Sequence, residues 1–114
     1  SGSAYVFDVS GTELAKLTPS DGAAYDSFGH GVAISGSTIV VGAHYDDDKG
    51  TSSGSVYVFD TSGTQLAKLT PSGGAAYDYF GESVAIGGST VVVGAALDDD
   101  TGSGSGSAYL FSAP

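Results

Sequence analysis

Short runs of apolar and β-branched residues, separated by turn-forming residues, recur along the whole chain. In the second half these runs are SVYVFD (55–60), TQLAKLT (64–70), YFGESVAI (79–86) and STVVVGA (89–95). None of them continues a 3.6-residue period over the length of a helix, so each predicts a β-strand. The links FDTSGTQ and IGGST are short and contain Gly, which predicts hairpins. The pattern therefore indicates an all-β fold built from antiparallel strands.

The same runs return at an interval of 52 residues. Tyr5, Tyr57 and Tyr109 are spaced by 52, and 38 of the residues 1–52 are identical to their counterparts in 53–104. We define repeat 1 as 1–52, repeat 2 as 53–104 and a partial third copy as 105–114, all within a single module, 1–114. Four antiparallel strands in a repeat of this length are typical of a β-propeller blade. An antiparallel sandwich of about nine strands is the alternative.

Composition narrows the range of partners. The chain has 114 residues, of which 40% are apolar, as expected of one folded domain with a small core. There is no cysteine and hence no disulfide. Three basic against 13 acidic residues give a net charge of −10, which excludes a nucleic-acid footprint and disfavours anionic membrane surfaces. With this acidic charge, cations and basic protein surfaces remain as partners. No apolar run reaches the length of a membrane span.

The order of motifs in each repeat carries a family resemblance. Phe28-Gly29 and Phe80-Gly81 are each followed by VAI, then VVGA, then a GS.Y.F strand. This order resembles FG-GAP repeats, which form the β-propeller of integrin α-subunits and of many secreted or surface bacterial and algal proteins. The resemblance covers nearly the whole chain twice. It implies propeller blades and an extracellular or cell-surface parent protein.

Two features depart from the family pattern. The Pro of the GAP motif is absent, because His44 follows Gly42-Ala43 and Ala96 follows Gly94-Ala95. Integrin-type repeats also carry a calcium loop between the FG and GAP strands. Here that link is ISGST (34–38) or IGGST (86–90), and neither contains a carboxylate. The family's calcium site therefore cannot be transferred to these positions.

The strand order of the family predicts how the blades divide. A blade runs from the FG strand through VVVGA and YVF to LAKLT, so 27–70 forms one complete blade. The second blade, 79–111, lacks its outer strand. Two blades cannot close a ring, since propellers have about four to eight. The sequence thus predicts a cyclic homo-oligomer in which a neighbour's Leu14–Thr18 completes that blade, giving six blades in a homotrimer or eight in a homotetramer.

The shared blade contains one conflict. The strands at 5–7 and 109–111 both match the position beside the donated LAKLT strand. One of the two copies must be displaced, frayed or swapped. An excised or engineered module accounts for this overlap better than a complete natural ring.

Acidic loops at one end of the blades are the candidates for chemistry. In an up-and-down blade two of the four links share one end, and there the sequence places DDDKG and DDDTG. Calcium prefers carboxylate and carbonyl oxygens on flexible loops, and a solvated turn-forming loop is the alternative interpretation. The candidate metal ligands are Asp46, Asp47, Asp48, Asp98, Asp99 and Asp100.

Several other polar residues have a structural interpretation. Asp8 and Asp60 precede SGT in a hairpin and are expected to bond their own turn. Asp26 and Asp78 are expected to bond backbone near the FG turn. Tyrosines beside the acidic loops could stack on a sugar or a peptide; these are Tyr25, Tyr45, Tyr77 and Tyr79.

The residue types present give little indication of a catalytic site, because the chain has no cysteine and only two histidines. His30 and His44 are the only histidines, and repeat 2 has Glu82 and Ala96 at their positions. No Ser-His-Asp arrangement can be inferred. The sequence therefore predicts a non-catalytic, self-assembling propeller module. A calcium-dependent protein- or glycan-binding adhesion module is the alternative.

Calcium binding makes a direct prediction. If the DDD loops bind the ion, millimolar calcium should raise the melting temperature, because a ligand that binds only the folded state stabilises it by mass action. Calorimetry with calcium and with chelator measures the difference, and an Asp98→Asn, Asp99→Asn, Asp100→Asn variant is the control. A shift below about one degree would contradict a calcium site.

Overall fold

The computed structural model describes residues 2–20, 27–44, 54–71, 79–95 and 106–114. All regular structure in these ranges is β, as predicted, and no helix there is long and apolar enough to cross a membrane. The strands are β1 (Ala4–Phe7), β2 (Glu13–Leu17), β3 (Gly31–Ser35), β4 (Thr38–Ala43), β5 (Ser55–Asp60), β6 (Gln65–Leu69), β7 (Ser83–Gly87), β8 (Thr90–Ala95) and β9 (Ser107–Ser112).

Three antiparallel sheets contain these strands. The N-terminal sheet is β1-β2, the central sheet is β3-β4-β5-β6, and the C-terminal sheet is β7-β8-β9. Strands adjacent in sequence are adjacent in each sheet, which is the up-and-down order of a propeller blade. The central sheet has the four strands predicted for the blade 27–70, and within the described residues the C-terminal sheet has three. Three stacked sheets are not the two layers of a sandwich.

The FG segment is a turn and not part of a strand. The prediction of a strand over 79–86 was wrong at its start, because β7 begins at Ser83. Tyr79 has a φ of 59° and Gly81 one of 95°, which extended backbone does not adopt. The N–H of Glu82 donates to the carbonyl oxygen of Tyr79 at 3.0 Å and closes a turn. Ser27 and His30 form the same turn in repeat 1, with an N···O distance of 3.2 Å.

Alternating side chains give the central sheet two apolar faces. On β5, Tyr57 and Phe59 point to one side and Val56 and Val58 to the other, and all four are buried. The first face packs on the N-terminal sheet and forms one core. The second face packs on the C-terminal sheet and forms a second core. The blades therefore cohere through face-to-face packing of sheets.

One aromatic side chain anchors each of these cores. Phe28 packs edge-to-face on Tyr57 and Phe59, with ring centroids 5.5 and 5.9 Å apart. Phe80 packs in the same way 52 residues later, at 5.4 and 5.8 Å from the rings of β9. Offset aromatic contacts of this kind add stability beyond the area that they bury. The phenylalanine of the FG motif is thus a packing residue.

Glycines allow the backbones of adjacent blades to touch. A Cβ on Gly42 would overlap the carbonyl oxygen of Gly81. Gly54 has a φ of 92° and forms a parallel bridge with Phe80, and a Cβ there would overlap the Phe80 carbonyl oxygen. Only glycine fits such contacts without moving a blade.

The two outer hairpins are closed by aspartates, as predicted. The Oδ1 atom of Asp60 accepts hydrogen bonds from the N–H groups of Ser62 and Thr64 at 3.0 Å each, and from the Ser62 hydroxyl at 2.6 Å. Asp8 makes the same bonds in repeat 1. The side-chain bond from Ser62 is the largest cause that lowers the pKa of Asp60. These carboxylates serve the turn.

Truncation of Phe80 should weaken the contact between the two larger sheets. Its side chain is fully buried, so Phe80→Ala should cost about 3 to 5 kcal/mol of unfolding free energy. Denaturant unfolding measures this loss. Val9→Ala is the control, because Val9 is fully exposed and its change should stay within about 0.5 kcal/mol. Equal effects of the two variants would contradict the packing described.

Candidate functional site: open apolar surfaces and a histidine pair

The predicted metal ligands lie outside the described residues. This applies to Asp46, Asp47 and Asp48 and to Asp98, Asp99 and Asp100, so calcium binding by these loops stays a prediction. Asp26, Asp78 and three of the four loop tyrosines also lie outside. Within the described ranges, no group of three or more histidine or carboxylate side chains is close enough to hold a metal ion.

Two histidines come together at one end of the central sheet. His30 immediately precedes β3 and His44 immediately follows β4, and the antiparallel register of these strands brings both to the same end. Their ring centroids are 4.5 Å apart with an angle of 52° between the planes. Tyr79, the one loop tyrosine in the described ranges, packs edge-on against His44 at 5.9 Å. It therefore lies at the contact between repeats.

The environment of His44 favours the neutral imidazole. Burial is the largest cause that lowers the pKa of His44, and the neighbouring His30 lowers it further, whereas Glu82 raises it. The sequence analysis missed this pair. The signal was present, because repeat 2 replaces both histidines together, at 82 and 96.

An apolar groove opens between the N-terminal sheet and the central sheet. It has a volume of about 450 Å³ and is lined by Ser3, by all of β1 and by Val32, Ile34 and Ile39. Val32 is 56% exposed and Ile34 57% exposed. Their counterparts in repeat 2, Val84 and Ile86, are partly buried and pack against the second core. In the part of the chain that the structure describes, the N-terminal sheet holds only β1 and β2, and the groove lies where the two other strands of a four-stranded blade would pack.

The opposite end of the stack has a matching open face. Val92 is 37% exposed and Leu110 is 72% exposed. Their counterparts 52 residues earlier are Val40 and Val58, which are completely buried against the C-terminal sheet. The outer face of the C-terminal sheet is therefore of the same type as a face that is covered inside the chain. We call it the outer face below.

Comparison with family models decides the relationship. A model described as FG-GAP repeat matches residues 12–59 and 64–111. The chain belongs to the FG-GAP repeat family. Among curated proteins, no sequence matches this chain. Membership accounts for the tandem repeat and indicates propeller-type blades.

The FG-GAP repeats of this chain have no space for the integrin-type calcium loop. Ser35 pairs with Thr38 across the β3–β4 hairpin, so that only two residues form the turn. Gly87 and Thr90 end the β7–β8 hairpin in the same way. The structure agrees with the departure seen in the sequence.

Acidification should destabilise the fold through His44. Because the folded chain holds the pKa of His44 below its ordinary value of 6.5, the unfolded chain takes up that proton first. Stability should therefore be lost as the pH falls from about 6.5 towards the lowered pKa, and then level off. Melting temperatures between pH 8 and pH 5 measure the loss.

Two variants separate the causes of this pH dependence. His44→Ala, which copies the residue at 96, should flatten the profile between pH 6.5 and 5. His30→Ala should retain most of the acid loss, since burial of His44 is the larger cause. An unchanged profile in the His44 variant would assign the effect to another group.

Proposed function

We propose that this FG-GAP chain is a non-catalytic structural module that assembles with copies of itself into a closed β-propeller. The observation that carries the proposal is the pair of open apolar surfaces at the two ends of the sheet stack. The groove exposes Val32 and Ile34, and the outer face exposes Val92 and Leu110. Where the central and C-terminal sheets meet, Val40 and Val58, the counterparts of the outer-face residues, are fully buried, and Val84 and Ile86, the counterparts of the groove residues, are partly buried.

The contact inside the chain supplies a template for contact between chains. The central sheet presents one face to the C-terminal sheet through Val40 and Val58. The outer face has Val92 and Leu110 at the strand positions of Val40 and Val58. The groove has Val32 and Ile34 at the strand positions of Val84 and Ile86, which belong to the C-terminal sheet that packs on that face. The two ends of one molecule are thus complementary to each other, as in a head-to-tail interface that closes by rotation.

Uncovered sheet faces provide the driving force. Isolated blades would leave large apolar side chains in water, and each large apolar side chain buried contributes about 1.5 to 3 kcal/mol. Contiguous exposed patches of this type mark sites of protein–protein contact. The net charge of −10 opposes association at long range, and salt screens it over about 8 Å at physiological strength. Assembly should therefore strengthen with added salt.

Repeat arithmetic limits the size of the ring. Each chain supplies the strands of two blades, so that three chains give six blades and four chains give eight, both within the usual range. We favour the homotrimer. The alternative function, calcium-dependent adhesion to a protein or glycan, depends on loops outside the described residues and is tested by the calcium melting experiment.

The native mass in calcium-free buffer tests the proposal. We expect one species at three or four times the chain mass of 11.2 kDa, measured by light scattering or native mass spectrometry. Val32→Asp should shift this species to the monomer, because it places a charge in the groove. Val9→Asp, at a fully exposed turn position, should leave it unchanged. A wild-type chain that stays a soluble monomer at high concentration would refute the proposal.

A further inference from the structure

We propose that a second copy docks its β8 against the free edge of β1, and that β1 thereby replaces that copy's own β9. This inference rests on the proposed self-assembly and deepens it by naming the strands, their register and the strand that is displaced. It also resolves the competition between the two equivalent strands.

One edge of β1 is available for pairing with a further strand. Among the described residues β1 pairs with β2 alone. Its counterpart in the central sheet, β5, pairs with β6 on one edge and with β4 on the other. The edge that β4 covers in the central sheet is thus open on β1, and it borders the groove. An open edge of this type presents unpaired N–H and C=O groups to an incoming strand.

The chain itself contains the strand that fits. The sequence of β4 is TIVVGA and that of β8 is TVVVGA, which differ by one methylene-sized change. When β8 takes the place of β4 beside β1, β7 follows it over the groove. Val92 then covers Val32 and Ile34 as Val40 covers the corresponding residues of repeat 2. A second copy is therefore the occupant that the repeat defines.

The register between the incoming β8 and β1 follows from two equivalent strand pairings within the chain, β4 with β5 and β8 with β9. Val40 pairs with Val58 between β4 and β5, and Val92 pairs with Leu110 between β8 and β9. Moving back by 52 residues from Val58 gives Val6. The incoming Val92 should therefore pair with Val6, with Val93 opposite Tyr5 and Val91 opposite Phe7.

The exchange replaces each aromatic contact with an equivalent one. Tyr109 and Phe111 of β9 pack edge-to-face on Phe80. Tyr5 and Phe7 occupy the same places on β1 and are 51% and 55% exposed in the single chain. When β1 pairs with the second copy's β8, these two rings can pack on that copy's Phe80. Two exposed aromatic side chains become buried.

The hairpin decides which of the two strands is displaced. β1 is joined to β2 by the Asp8 turn, and Val6 is already packed in the first core. A Cβ on Gly2 would overlap the Phe28 carbonyl oxygen, so that the start of β1 lies directly against the central blade. In the described part of the chain β9 pairs only with β8, and Ser112 stands where the turn aspartate would be. Keeping β1 preserves the hairpin, whereas keeping β9 would break it.

Disulfide trapping tests the register in a chain that has no cysteine of its own. One population carries Val6→Cys and another carries Val92→Cys, and the mixture is oxidised in a glutathione buffer. We expect a mixed disulfide dimer. Thr90→Cys is the matched control, since it lies two residues along the same face and too far from position 6 for a disulfide. Equal trapping by the control would overturn the register.

A second pair of variants reports the opposite exchange. If β9 stayed on β8 and β1 left, β9 would pair with a neighbour's β2, placing Leu110 opposite Ala15 as Val58 lies opposite Ala67. Trapping of Leu110→Cys with Ala15→Cys, without trapping between positions 6 and 92, would refute the exchange while self-assembly stands. A monomeric wild-type mass would instead refute the self-assembly itself.

A charged substitution tests the displaced strand without any crosslink. Leu110 is 72% exposed in the single chain, so Leu110→Asp should not disturb its folding. Leu110 belongs to the outer face only while β9 stays paired with β8. If β1 replaces β9, Val6 takes the place of Leu110 beside Val92, and the variant should assemble as well as the wild type. Loss of assembly in this variant, at unchanged melting temperature, would show that β9 stays in the interface. Val92→Asp should abolish assembly in either arrangement.

Discussion

The two-sided apolar character of each sheet is the constraint on which this structure depends. A strand such as β5 directs Tyr57 and Phe59 to one side and Val56 and Val58 to the other, and a sheet of such strands needs cover on both faces. Inside the chain the central sheet obtains it from the sheets before and after. Among the described residues, the N-terminal and C-terminal sheets each pack against another sheet on one face only. Stacking of sheets is therefore both the source of cohesion and the reason why the ends attract a partner.

Close approach of the backbones makes this stacking regular. Gly42 and Gly54 leave space for the carbonyl groups of Gly81 and Phe80, and the FG turn holds Phe80 against the rings of β9 in its own blade. The same geometry recurs at Phe28, with centroid distances that differ by about 0.1 Å. Because the same contact recurs at a 52-residue offset, comparing an exposed residue with its buried counterpart in another repeat shows which strand would cover it.

Prediction from sequence succeeded for the elements and failed at a junction. Strand type, strand order, the complete blade over 27–70 and the aspartate turns followed from alternation, turn chemistry and the repeat. The start of β7 was placed too early, because the apolar residues Tyr79 and Phe80 look like strand residues. Tyr79 and Ser27 instead have a positive φ at the same place in the repeat, where a hydrogen-bonded turn replaces the start of the strand.

Sequence by itself determined the family, the repeat, the all-β fold and the acidic surface charge, since these depend on local periodicity and composition. Only the tertiary structure decided that His30 and His44 lie side by side, that Val32 and Ile34 line an open groove, and that Val92 and Leu110 are exposed on the outer face. The physical reason is that burial is a property of what lies across a sheet face. The alternation of residues along a strand predicts which side chains share a face of the sheet. Whether that face is covered depends on which other sheet packs against it.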